Sequence, residues 1–228
     1  MRKIQLANNE YYHIYNRSVE KRIIFQDQDD HLRFIHDLFE FNDRAPAGKF
    51  FHFSETEPPN VEARELLVEI VCFCLMPNHF HLILRQKADN GISLFMQKLG
   101  TGYTTYFNKK YDRSGVLFQG AFKSIYIETD EYLTHLSRYI HLNPIELIDS
   151  NWKTEGIGDW RKANKFLESY QWSSYPDYLG NKNFPSLTNR NLLSHIFNGL
   201  EEYKKFVNEW IVKDSEEINF FGDRTSEK

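Results

Sequence analysis

The sequence predicts an α+β fold of the ferredoxin-like type, in which helices cover an antiparallel sheet. The first observation is the order of segments, which is strand, helix, strand, strand, helix and strand, followed by one more helix. The second is a Pro-Asn turn between two apolar runs, which is typical of a β-hairpin. This order corresponds to the split βαβ arrangement, here with an added helix after the fourth strand.

The first strand and helix are predicted from short-range patterns. Residues 11–17 form a short aromatic run, which predicts a strand. Residues 26–41 carry apolar side chains at helical spacing, and Asp27 is a suitable N-cap for that helix. Residues 42–60 contain three prolines and one glycine among many polar residues. We therefore expect an insertion loop over about residues 42–65.

The central hairpin is the strongest strand signal in the chain. Residues 66–76 are nearly all apolar, as expected for a strand that is covered on both faces. Pro77 and Asn78 predict the turn, and residues 79–85 predict the returning strand. Because the two runs are adjacent, we expect them to pair antiparallel.

The second half of the unit repeats the helix and strand order. Residues 92–111 show a long helical pattern of apolar side chains, and residues 122–127 predict the fourth strand. A further helix is predicted over residues 129–142, and Asn143-Pro144 is expected to end it, because proline restricts the residue before it.

Beyond residue 150 the pattern changes, so we divide the chain into residues 1–150 and a C-terminal extension over 151–228. The extension is predicted to be mostly helical, with helices over about residues 159–170 and 191–210. The sequence leaves the role of the extension open.

Composition excludes several classes of protein. The formal net charge of the 228 residues is −4, so the whole chain is not a basic nucleic-acid-binding protein, although local patches are possible. The two cysteines are only two residues apart and offer no disulfide framework. No apolar run is long enough for a membrane span, and the first residues lack the apolar stretch of a secretion signal. We therefore predict a cytoplasmic protein without a membrane partner.

The strongest chemical signal is a pair of histidines directly after the predicted turn. His79 and His81 are two residues apart on a strand, so they point to the same face and could chelate one divalent cation. The simpler interpretation is a half-exposed strand with alternating polar residues. A third interpretation is a structural zinc site that adds Cys72 and Cys74, although this spacing is unusual for zinc and free cysteines are often buried.

A tyrosine on the predicted last helix is the candidate nucleophile. Tyr132, Leu136, Tyr139 and Asn143 recur at steps of three or four residues and share one helical stripe. On its own, Tyr139 could be an ordinary core residue. Together with a two-histidine metal site, however, a tyrosine is what phosphodiester cleavage through a phosphotyrosine requires.

Two basic segments suggest a nucleic-acid surface. Residues 96–125 carry a local charge of about +4 with interleaved aromatic residues, and residues 1–25 carry about +3. Cations and aromatic rings on one segment suit single-stranded nucleic acid, whereas the alternative is a solvated helix face above core aromatics. The predicted DNA-contacting residues are Arg17, Tyr103, Tyr106, Lys109, Lys110, Arg113 and Lys123.

Several segments, taken in order, resemble one known family. They are residues 12–17 (YHIYNR), 76–82 (MPNHFHL), 115–123 (GVLFQGAFK), 138–144 (RYIHLNP) and 172–175 (WSSY). Together they resemble the single-tyrosine HUH transposases (IS200-like), in particular the REP-associated tyrosine transposases. The resemblance covers residues 11 to about 180. Two positions depart from the family pattern, because Ser18 stands where relatives usually have Gly and Ala121 where they often have Arg.

The resemblance implies a single-stranded DNA endonuclease and strand transferase acting on hairpin-bearing DNA. It implies that His79 and His81 bind Mg²⁺ or Mn²⁺, that Asn143 is a further ligand, and that Tyr139 becomes linked to a 5′ phosphate. No small-molecule cofactor is implied, and both monomer and homodimer remain open. The alternative is a protein that binds nucleic-acid hairpins on the same fold without cutting them.

Overall fold

The computed structural model describes residues 5–45 and 64–212, with side chains to residue 209. Most of the predicted insertion loop and the end of the extension lie outside the described residues.

Four strands form one antiparallel sheet in the order β2-β3-β1-β4. They are β1 (Tyr11–Arg17), β2 (Val68–Met76), β3 (His79–Gln86) and β4 (Lys123–Ile127). β1 and β2 are parallel and are separated by β3, which is the split βαβ topology. The predicted α+β fold and hairpin are therefore confirmed.

Helices α1 (Gln28–Glu40), α2 (Gly91–Lys110) and α3 (Asp130–Leu142) occupy the predicted positions. Asp27 caps α1 as expected, since its side chain accepts a hydrogen bond from the Asp30 amide. The smaller helices are α4 (Trp152–Glu155), α5 (Trp160–Ser169), α6 (Tyr175–Tyr178), α7 (Asn191–Ile196) and α8 (Leu200–Val212). No helix within residues 5–45 and 64–212 is both long and apolar enough to cross a membrane.

Helix α3 ends at Leu142 as predicted, and the chain continues as a 3₁₀ helix over Asn143–Leu147, with Pro144 in its first turn. Two other predictions were wrong in detail. The pattern of residues 152–158 predicts a loop, but this stretch begins with α4. The single helix predicted over residues 191–210 is two helices, because Asn198 and Gly199 take positive φ angles of 53° and 127° between them.

The two faces of the sheet pack against different elements. One face lies against α1 and α2 in an apolar cluster that includes Ile14, Phe34 and Leu82. The other face lies against α3 and the described part of the extension, whose side chains share one cluster with Ile83 and Ile140. The boundary near residue 150 remains a prediction, but the extension contributes directly to the core that covers the second face.

The extension also covers the outer edge of β2. The Leu75 amide donates to the Trp172 carbonyl at 2.9 Å, and the Ser174 amide donates to the Phe73 carbonyl at 3.0 Å. Pairing an otherwise open edge removes a site for aggregation. The WSSY segment at residues 172–175 is therefore a structural cover for the strand that leads into the histidine turn.

Candidate metal and tyrosine site

The register of the sheet places the two histidines on the face that packs against α3. His81 lies opposite Tyr15 on β1 and opposite Cys74 on β2, while His79 lies opposite Arg17. Phe80, between them, points to the other face and is 1% exposed. The alternation predicted from the sequence therefore holds, and both imidazoles are on one side of the sheet.

Each of the two imidazoles has a partner at Nδ1. The His79 and His81 ring centroids are 5.1 Å apart with the rings nearly perpendicular. His79 Nδ1 lies 2.6 Å from Asn78 Oδ1, an acceptor, so Nδ1–H donates and Nε2 keeps its lone pair. His81 Nδ1 lies 2.9 Å from Nε2 of the buried His13. When His81 is the donor in this contact, its Nε2 is likewise open to a metal ion.

Burial keeps these imidazoles neutral. It lowers the pKa of His79 to about 4 and the pKa of His81 well below the usual value. The pKa of His13 falls to about 3 for the same reason. Neutral imidazole is the form that binds a metal ion, so the protonation state of the pair suits a cation site near neutral pH.

Helix α3 brings Tyr139 onto this face. The Tyr139 ring is 2% exposed and meets the His81 ring edge to face, with centroids 6.1 Å apart. The helix begins at its N-cap Thr129, whose side chain accepts a hydrogen bond from the Tyr132 amide. Leu136 and Ile140 are fully buried on the same helix and hold its inward face against the sheet.

Asn143 lies one turn beyond Tyr139 and is fully buried. Its Nδ2 donates to the Tyr139 carbonyl at 3.1 Å, which directs the amide oxygen away from the helix. That oxygen lies 3.5 Å from Nζ of Lys153. The structure therefore brings His79, His81, Tyr139 and Asn143 to one place, as the helical and strand spacing predicts.

Two charged residues at the site, Lys153 and Glu146, were not predicted from the sequence. Lys153 on α4 forms an ion pair of 2.7 Å with Glu146 of the 3₁₀ helix, and its Nζ lies 5.6 Å from the Tyr139 ring centroid. No motif or period links Lys153 to Tyr139, fourteen positions earlier. The turn after Pro144 brings the two residues together, and only the tertiary structure shows it.

His141 connects α3 to the extension through a buried polar network. Its Nε2 lies 2.8 Å from the Ser174 hydroxyl and its Nδ1 lies 2.7 Å from the Tyr203 hydroxyl. Tyr203 in turn donates to Ser137 at 3.1 Å. The RYIHLNP and WSSY segments, which are distant in sequence, therefore meet at His141 and Ser174 and fix the orientation of the helix that carries Tyr139.

The zinc interpretation of the cysteines is wrong. Cys74 does lie opposite His81, but Cys72 and Cys74 are fully buried in an apolar cluster. Burial raises the pKa of both thiols far above the usual value, which disfavours the thiolate that zinc requires. Among residues 5–45 and 64–212, no group of three or more His, Cys, Asp or Glu side chains is arranged to hold a metal ion.

The predicted DNA-contacting residues do not form one uniform surface. Tyr103 was predicted to contact DNA, but this prediction was wrong. Its ring is fully buried, and its hydroxyl donates to the Ile24 carbonyl at 2.6 Å. Tyr106 is partly buried and its hydroxyl donates to Asp30 at 3.0 Å. Lys110 forms ion pairs with Asp27 and Asp30 at 2.7 and 2.8 Å. The side chains of Tyr106 and Lys110 are therefore already bonded to carboxylates of the protein.

The remaining cations differ in their surroundings. Arg113 is half-buried and donates to the Asn108 side chain and the Val116 carbonyl. Lys109 and Lys123 are exposed, and Arg17 is half-buried on the same strand face as the histidines. A DNA-contacting role for Arg17, Lys109, Arg113 and Lys123 stays a prediction.

The departure at Ser18 has a simple structural explanation. Ser18 has φ −70° and ψ 155°, an extended conformation that any residue can adopt. The left-handed φ angles in this turn fall on Glu20 and Lys21 instead. Glycine is therefore not required at position 18 in this chain.

One stretch of the chain matches a known family in sequence. Residues 60–143 match the family described as "Transposase IS200 like", so the resemblance to IS200-like transposases is confirmed over the segment that carries His79, His81, Tyr139 and Asn143. The opening strand and residues 172–175 lie outside the matched segment. No curated protein matches the chain in sequence.

Among solved structures, a similar chain is a REP-associated tyrosine transposase bound to a REP hairpin. The TM-score is 0.52 at 13% sequence identity, and the alignment covers 84% of this chain and 92% of the other. At this identity the similarity establishes the shared fold. Because the alignment covers 84% of this chain, the fold in common reaches beyond residues 1–150 into at least part of the extension.

Proposed function

We propose that this protein is a metal-dependent single-stranded DNA endonuclease and strand transferase that acts through a 5′-phosphotyrosine intermediate. The observation that carries the proposal is the convergence of His79, His81, Tyr139 and Asn143 on one face of the sheet. The family match over the same residues supports it. Hairpin-bearing DNA is the proposed substrate, supported by the hairpin bound to the solved relative of the same fold.

The donor set fits a divalent metal ion of the kind proposed. Two neutral imidazoles whose Nδ1 atoms are engaged, together with one amide oxygen, offer three donors. This leaves the other coordination positions to water and a phosphate oxygen, which is how Mg²⁺ and Mn²⁺ are usually held at phosphate-processing sites. When bound, the ion would polarise the scissile phosphate and withdraw charge from it.

The protein's own residues account for the remaining steps. The Tyr139 hydroxyl gives up its proton to water, its oxygen attacks the phosphorus, and the bond from phosphorus to the 3′ oxygen breaks. The 3′ oxygen takes up a proton, and the 5′ phosphate is left on Tyr139. The 3′ hydroxyl of another strand can reverse these bond changes and release the tyrosine, so one nucleophile is sufficient for cleavage and joining.

The test is to trap the covalent product. The protein is incubated with Mg²⁺ or Mn²⁺ and labelled single-stranded DNA from the flanks of its own gene, and the adduct is located by mass spectrometry. A nucleotide on Tyr139 is expected, and none with Tyr139→Phe, which retains the ring. A nucleotide on another tyrosine would overturn the assignment. Hairpin binding without any adduct would favour a non-catalytic binding protein.

A further inference from the structure

Lys153 is placed beside Tyr139 by the segment that follows the family match. Its ammonium contacts three groups of the site: the Glu146 carboxylate at 2.7 Å, the Asn143 amide oxygen at 3.5 Å, and the side chain of Tyr139, to which it hydrogen-bonds. Nζ lies 5.6 Å from the centroid of the Tyr139 ring. The cation is therefore in contact with the hydroxyl end of the proposed nucleophile.

The surroundings of Lys153 keep it charged. The Glu146 carboxylate accepts a hydrogen bond from the Lys153 ammonium at 2.7 Å and balances its charge. The Asn143 amide oxygen is a second acceptor. The Lys153 side chain is 28% exposed, so the ammonium is partly accessible to solvent.

We propose that Lys153 is a catalytic residue that stabilises the phenolate form of Tyr139 in both directions of the reaction. This inference rests on the proposed function and names an additional residue for it. In cleavage, the phenolic proton passes to water, the phenolate oxygen bonds to phosphorus, and the 3′ oxygen leaves and is protonated. In joining, the 3′ oxygen attacks and the phenolate leaves. A fixed ammonium stabilises the phenolate in either direction.

The purely structural alternative is that Lys153 only anchors α4 to the 3₁₀ helix through Glu146. A partly exposed ion pair of this kind contributes little to stability. The chain contains a matched control for this role, since Lys204 forms a comparable ion pair of 2.9 Å with Glu168. The side chains of that pair are 36% and 34% exposed, against 28% and 43% for Lys153 and Glu146.

The experiment compares Lys153→Met, Lys153→Arg and the control Lys204→Met in the full chain. For each variant we would measure the single-turnover rate of adduct formation at saturating DNA. The rate of joining, starting from isolated adduct and a strand with a free 3′ hydroxyl, is the second kinetic measurement. Hairpin affinity, Mn²⁺ affinity by calorimetry and melting temperature report on binding and folding separately.

We expect Lys153→Met to slow both cleavage and joining by about 100-fold, the usual effect of removing one donor to a developing oxyanion. Hairpin affinity and melting temperature should match the wild type, and Mn²⁺ affinity should not fall. Lys153→Arg retains the charge and should recover most of the rate, and the control Lys204→Met, which lies outside the site, should leave it nearly unchanged.

Three results would overturn the inference. The first is a Lys153→Met rate equal to that of Lys204→Met. The second is a loss of rate that follows a loss of Mn²⁺ affinity, which would assign the effect to the metal site. The third is an equal loss in the Met and Arg variants together with a lower melting temperature, which would assign Lys153 to folding. A wild-type protein that forms no adduct at all would instead overturn the proposed function, and the inference with it.

Discussion

The two faces of the sheet differ in what they bury. The face against α1 and α2 is lined by apolar side chains such as Ile14, Phe34 and Leu82, and the buried carboxylates Asp30 and Asp37 of α1 are held in ion pairs. The face against α3 buries polar groups as well, including His13, His81, His141 and Asn143. A buried polar group is costly unless it is paired. The buried imidazoles are concentrated on the α3 face, which is the face that carries the proposed site.

The hydrogen-bond partners of the buried histidines on the α3 face distinguish a structural histidine from one that belongs to the site. His141 is paired at both ring nitrogens, with Ser174 and Tyr203, and is a structural link. Nδ1 of His13 is buried and has no hydrogen-bond partner among the described residues. Its other nitrogen contacts His81. His13 thus belongs to the site through His81, which is the kind of supporting contact that metal-binding imidazoles usually have.

The largest predicted effect is on the α3 face, where a substitution should abolish most of the DNA-cleaving activity while the protein remains folded. His79→Ala should slow adduct formation by at least about 100-fold, because losing a metal ligand should cost no less than losing an outer partner of one. Hairpin binding and melting temperature should change little. The measurements are adduct yield over time and a binding titration. A variant that cuts at the wild-type rate would mean that the metal site is misassigned.

The opposite behaviour is expected of the apolar face. Leu38 on α1 is fully buried, and Leu38→Ala should lower the free energy of unfolding by about 2–5 kcal/mol through lost burial and a cavity. Well below its melting temperature, the folded variant should still form the adduct at the wild-type rate. Urea unfolding and adduct kinetics on the same preparation test both parts. An adduct rate that drops while the protein remains folded would show that the two faces are not separable.

The apolar face and the histidine pair could be predicted from the sequence. Both follow from the regular spacing of side chains, every second residue on a strand and every three or four residues on a helix. The antiparallel hairpin, the shared face of His79 and His81 and the stripe from Tyr139 to Asn143 are short-range patterns. Lys153 and the partners of His141 could not be predicted, because they depend on how the chain turns after Pro144 and how the extension packs. The break at Gly199 was missed because helical periodicity continues across it.

Charge counting along the sequence was the least reliable guide, because it ignores partners within the protein. Lys110 is ion-paired with Asp27 and Asp30, and burial removes Tyr103 from the surface. Of the two adjacent lysines, only Lys109 is exposed without a contact of this kind in the described structure. A surface for DNA therefore has to be inferred from the folded protein and not from the charge of a segment.

The smallest predicted effect concerns the adjacent residues Lys109 and Lys110. If Lys109 contacts a phosphate, Lys109→Gln should lower the slope of log affinity against log salt by about 0.7, the value for one contact to a single strand. Lys110→Gln should leave the slope nearly unchanged, because its charge is already neutralised by Asp27 and Asp30, and should instead slightly destabilise the protein. Both variants lose one charge from neighbouring positions on α2, so each is the control for the other.

Binding titrations of single-stranded DNA at several salt concentrations give the slopes. Equal slopes in wild type and Lys109→Gln would place the DNA away from this end of α2, and a larger change in Lys110→Gln would mean that DNA displaces the carboxylates from Lys110.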